Sequence, residues 1–326
     1  ELSSQLLMRP GNKSKAARGY QLFHDQPDDL SVIEFPLVPI EARYSGSEAF
    51  IKGTTFCLSH LQKVIDVYFL APSLNRLSQL NHALLLCRHA FWMFDDFLTD
   101  NEILVRKEIS HFLTLFAWEN NAKNLHEIIT KSGVYRKKIE YNQALVKNLK
   151  LEERRFPSTE QVQELILSSR FNKMQLALLS LILKGEASLK KREINSESIL
   201  SFSANALDKS LNELVGDIST ERKMSAEQYL SHKRMLNRSL LTGSWCGQLF
   251  NEKARADYRA PWLDLMQGLT ELETLSMLKL QLQQQQAREE KSEKLVKWLD
   301  SKIDNLLDAL DSSRQIALAV APYWRI

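Results

Sequence analysis

Apolar residues recur at steps of three and four along most of this chain, the spacing that gives a helix one apolar face. The clearest run is Leu295, Leu299, Ile303, Leu306 and Leu310, a stripe that reads as a core face, with a coiled-coil seam as the alternative. Strand-like alternation of Val, Ile and Thr with polar residues is nearly absent. The pattern predicts helices over about 47–70, 74–98, 102–117, 121–150, 159–184, 196–224, 226–250, 262–288 and 291–320. Ser158 follows Pro157 and precedes Gln161 by three, the start signal of a capping box. Phe35-Pro36-Leu37-Val38-Pro39 departs from the pattern. Proline and the residue before it disfavour helix, so this stretch predicts an extended apolar strip laid across the helical body. Residues 1–30 are polar and irregular and read as a loose arm. The organisation expected is an arm and strip over 1–40 and one all-α domain over 41–326, without internal repeats.

Composition strengthens the helical reading. Glycine is scarce, at 10 of 326 residues, and the 8 prolines leave 73–156, 158–260 and 262–321 free of them. A formal net charge of +3 is too small to point to nucleic acid. Basic clusters such as Arg136-Lys137-Lys138 are separated by acidic stretches and read as solvated helix ends. Cys57, Cys87 and Cys246 are odd in number and far apart, which predicts reduced thiols in a cytoplasmic setting. Apolar stretches such as Met174–Leu183 fall short of the ~20 residues a membrane span needs, so no membrane span is expected. Residue 1 is Glu rather than Met, which leaves a removed targeting segment open. The seven histidines show no ligand spacing.

The most informative stretch runs from Cys87 to Glu102 and holds Phe91, Trp92, Phe94, Asp95, Asp96 and Asp100. On a continuing helix, Asp96 and Asp100 are i and i+4 and share a face, with Asp95 beside them. Like charges on one face repel, and adjacent aromatic rings raise the cost of ionisation. A hard divalent ion relieves both, and Mg²⁺ typically takes one or two carboxylates plus waters and phosphate oxygens. An acidic helix end in solvent is the plain alternative.

Phe94-Asp95-Asp96-Phe97-Leu98-Thr99-Asp100 resembles the aspartate-rich motif of class I terpene synthases of the microbial type, and Ile33 to Ile40 resembles their proline-containing lead-in. The resemblance implies a helical bundle around a central apolar pocket. It also implies Mg²⁺ as the cofactor, three ions by the family's pattern, with Mn²⁺ able to substitute. Arg170, flanked by apolar residues on both sides, reads alone as a snorkelling side chain. The resemblance gives it the role of sensing a diphosphate, for which a planar guanidinium suits two phosphate oxygens. The second metal motif falls in Leu211 to Met224. In the direct register Gly216, Thr220 and Met224 stand at the ligand positions. A shift of three instead puts Glu213, Asp217 and Glu221 on one stripe, all oxygen donors.

The expectation is therefore a magnesium-dependent terpene synthase that ionises a linear C15 or C20 prenyl diphosphate, cyclises the allylic cation and releases pyrophosphate. By the resemblance, Asp95, Asp96, Asp100, Glu213, Asp217 and Glu221 bind metal. Arg170 is catalytic, while Phe91, Trp92, Phe94, Thr220, Lys223, Tyr323 and Arg325 contact substrate. The alternatives are a squalene/phytoene synthase-like head-to-head transferase and a non-catalytic helical binding protein derived from a synthase. The expected partner is this small molecule, with the chain a monomer or homodimer.

Overall fold

The computed structural model describes residues 10–11, 14–24, 29–130, 133, 135–190, 198–217, 223–286 and 293–325. Every regular element among them is helical, as the pattern predicts, and the fold is an all-α helical bundle. The α-helices are α1 (Lys15–Phe23), α2 (Gly46–Leu70), α3 (Leu74–Met93), α4 (Asp100–Leu115), α5 (Glu119–Ile129), α6 (Arg136–Ile139) and α7 (Gln143–Glu153). They continue as α8 (Thr159–Leu167), α9 (Ser169–Lys184), α10 (Ile199–Asp217), α11 (Ala226–Cys246), α12 (Glu252–Gln286) and α13 (Glu293–Ala319). The chain divides into two compact units, each built from three separate stretches. The first holds 1–119, 157–203 and 244–249, and the second holds 120–156, 204–243 and 250–326.

In the first unit, α2 and α3 pack along each other, and α9 packs on α2 and α4. Ser45 and Ser73 cap α2 and α3 by accepting the backbone N–H of Glu48 and of Arg76. Phe50, Phe91, Phe94 and Trp245 form the aromatic heart of this unit, each at most 1% exposed. Phe50 meets Phe91 edge-on at 5.4 Å, and Phe94 lies 5.8 Å from Trp245. The Trp245 indole N–H donates to the Leu86 carbonyl at 3.2 Å, satisfying the polar end of a fully buried ring. The strip forms no helix and packs into this unit. Val38 and Ile40 are buried, and the Val38 N–H donates to the Ser244 carbonyl at 2.8 Å.

In the second unit, α12 and α13 make the most extensive helix pair. Leu299, Ile303 and Leu310 are buried, so the stripe of the last helix is a core face. Gly268 of α12 lets the backbone approach Leu310, whose Cδ2 would lie 2.6 Å from any Cβ added there.

Four departures from the pattern stand out. Residues 15–23, expected to be loose, form α1. The helix expected over 121–150 is three helices, because the Asn142 carboxamide starts α7 by accepting the Leu145 N–H at 2.9 Å. Ser168 is extended at ψ 146° and caps α9 through the Phe171 N–H, which splits 159–184 in two. Pro261 lies inside α12 rather than before it; the helix starts nine residues earlier at Glu252, where the Asn251 side chain accepts from the Ala254 N–H. A proline inside a helix forfeits one hydrogen bond, and here the helix runs through it.

Candidate functional site

The acidic stretch does not lie on one helix. α3 ends at Met93, Asp95–Phe97 form a 3₁₀ turn, Leu98 is extended and α4 begins at Asp100. The face that Asp96 and Asp100 were expected to share does not exist. Thr99 and Glu102 explain the break, because they form a reciprocal capping box that starts a new helix. Asp100 sits in the first turn of α4, where an acid complements the helix dipole. Asp95 is ion-paired with Arg106, and Asp96 is exposed on the turn. Among the described residues no three His, Cys, Asp or Glu side chains gather as a metal set would.

The aromatics beside the acids belong to the core. Phe91 and Phe94 are fully buried against Phe50, while Trp92 is half-buried with its ring 5.1 Å from that of His89.

Apart from Arg170, the remaining expected residues belong to the second unit's stretches of sequence. Glu213 is ion-paired with Arg238 at 2.9 Å, and Lys223 with Asp308 at 2.7 Å. Asp217 ends α10, while Thr220 and Glu221 lie outside the described residues. Tyr323 is buried among Tyr258, Phe250 and Trp324. Arg325 pairs with Asp208 at 2.6 Å, and the same carboxylate accepts the Trp324 indole N–H. The C-terminal Tyr and Arg are thus held by α10 and α12 of their own unit.

Arg170 is the expected residue that lines a cleft. Its guanidinium grips Glu108 with two bonds, Nε to Oε2 at 2.7 Å and an Nη to Oε1 at 2.9 Å. This bond holds the Glu108 carboxyl below the usual glutamate range. The pair stands at a cleft of about 390 Å³ between α4 and α9. Leu104, Val105, Met174, Ala177 and Leu181 supply its apolar lining. Lys173 and Lys184 also line it, both exposed and with no acid partner among the described residues. Glu102, the remaining acid there, is buried and engaged with Thr99. Charge at the rim therefore runs positive over an apolar floor. Glu108 lies 62 residues from Arg170 and had no local signal in sequence. Lys173, Ala177 and Lys184 fall on one face of α9, a signal that periodicity alone could have supplied.

No known family model matches this chain, and no curated protein does. Among solved structures, it is similar to the crystal structure of the CHAD domain from the plant Ricinus communis. The TM-score is 0.63 at 16% sequence identity, covering 89% of this chain and 98% of that chain. At this identity the likeness shows the fold, a helical one. The fold found is that of a CHAD domain and not of a terpene cyclase, which overturns the expected ionisation and cyclisation of a prenyl diphosphate. The break at Thr99 removes the helical face on which the joint reading of Asp96 and Asp100 rested. Among the described residues no helix is long and apolar enough to cross a membrane.

Proposed function

We propose that this protein is a helical binding module that holds a small organic acid with an apolar body in the cleft between α4 and α9. The observation that carries the reading is the lining: an apolar floor beneath two lysines that have no acid partner among the described residues, beside the Arg170–Glu108 pair. A volume of about 390 Å³ suits a ligand of modest size. Burial of the apolar body supplies the affinity, at about 25 cal/mol per Å² removed from water. The lysines orient the acid head, and a ligand carboxylate can compete with Glu108 for the fork of Arg170. The three cysteines are free and buried, which supports a reducing, cytoplasm-like setting.

Titration calorimetry with decanoate tests the proposal, with decanol as the uncharged control. Lys173→Ala and Lys184→Ala are each expected to weaken decanoate binding about two- to fivefold, the size of an exposed charge pair. Ala177→Phe places a ring in the cleft and should weaken it at least about tenfold. Equal binding of decanoate and decanol, or unchanged binding to Ala177→Phe, overturns the reading.

A further inference from the structure

The second unit contains a separate cleft of about 350 Å³, lined among others by Asn124, Leu125, Glu152, Phe156, Glu273 and Met277. Its chemistry is opposite to that of the first, because neither lysine nor arginine lines it. Asn124 is 2% exposed, and its Oδ1 is a buried acceptor with no hydrogen-bond partner among the described residues. A buried amide oxygen left unpaired is costly, and an occupant bearing a donor would recover that cost. Glu273 accepts from Asn120 at 2.7 Å and from Lys233, both on Oε2. Its Oε1 receives no hydrogen bond among the described residues. Glu152 is held from outside the lining by Arg155 at 2.7 Å. These pairs offset much of the negative charge, so the cleft selects by acceptor geometry more than by net charge.

We propose that this cleft is a binding site for an alkylammonium group. An ammonium has three N–H donors and no acceptor, which complements the amide oxygen of Asn124 and the Oε1 of Glu273. Phe156, Leu125 and Met277 also line the cleft and take the attached chain. A ligand with an anionic head finds no counter-charge in this lining, so this site and the α4/α9 cleft take different ligands.

Calorimetric titration of the intact protein with hexylamine tests the site, with hexanol as the neutral control. A blocked Gly-Lys-Gly tripeptide serves as the alternative source of the same group. Hexylamine binding with little hexanol binding is the expected result, and Asn124→Leu and Glu273→Gln should each weaken it about tenfold. Asn124→Leu removes a buried unpaired acceptor, so its melting temperature should equal or exceed that of the wild type; this separates a lost site from a lost fold. Binding of the tripeptide alone would assign the ammonium to a lysine side chain of a polypeptide, which sustains the site. The proposal is overturned if hexanol binds as well as hexylamine, if neither amine source binds, or if Asn124→Leu binds hexylamine unchanged. Failure here leaves the decanoate result at the other cleft untouched.

Discussion

His60 shows how a single environment sets a single property. It stacks on Phe56 with ring centroids 6.1 Å apart, four residues back on α2. Burial disfavours its charged form and, with Lys63 adding to the effect, lowers its pKa from the usual histidine value to about 4. The unfolded chain therefore takes a proton near pH 6.5 that the folded chain refuses until about pH 4. The contribution is fully present above pH 6.5 and is lost as pH falls toward 4, at about 1 kcal/mol per pH unit. Denaturant titrations of the wild type and of His60→Gln at pH 7, 6 and 5 check this. The wild type should lose stability faster across that range, and parallel losses would refute the assignment. Glu108 moves in the same direction from a different cause, since its lowered pKa comes first from the bond to Arg170. That pair is intact above the ordinary glutamate range and is lost as pH falls below it.

At the scale of elements, helix ends decided more than helix interiors. Ser158 and Gln161 form the capping box that the sequence announced, with the Ser158 side chain accepting from the Gln161 N–H. Thr99 and Glu102 follow the same rule but lie inside a motif that invited another reading, and the helix breaks there. Close packing between elements was less visible still. Gly53 of α2 lies against Trp245, which arrives 192 residues later in the chain; a methyl at Gly53 would overlap the indole ring. Gly53→Ala gains up to about 1 kcal/mol of helix propensity but overpacks by about 1–3 kcal/mol. Overpacking should win, because the ring is fully buried and its N–H is tied to the Leu86 carbonyl. A net destabilisation of about 1–2 kcal/mol in chemical denaturation is expected, and a stabilised variant would show that the ring can yield.

At the scale of the whole molecule, each compact unit is assembled from stretches far apart in sequence. A fragment of residues 1–203 carries most of the first unit but lacks 244–249, and with it Trp245, which packs against Phe94. Loss of a buried indole from a core costs about 3–5 kcal/mol, a large share of what any domain has in hand. The fragment should therefore be less helical than its share of the intact chain and should bind a dye for exposed apolar surface. A cooperative thermal transition equal to that of the full chain would contradict the discontinuous unit. The likeness to a CHAD domain spans most of both chains at 16% identity, so what is shared is the arrangement of helices rather than side chains. Such a likeness leaves the chemistry of each cleft to be read from this chain's own residues.

The sequence by itself determined the helical class, the capping at Ser158, the absence of helix in the proline strip around Val38 and the core face of α13. Each depends on periodicity or on bonds between residues three or four apart, and such local effects are written directly in the order of residues. The tertiary structure alone decided which side chains meet. It placed Phe91 and Phe94 in a core beside Trp245, paired Arg170 with Glu108, and put Asn124 in one cleft with Glu273, its oxygen buried without a partner among the described residues. These encounters join residues tens to hundreds of positions apart, and no periodicity reports them. An acid run near aromatics is the same string of letters on a metal-binding helix and on a turn. Burial and ion pairing separate the two, and both come into being only when the chain folds.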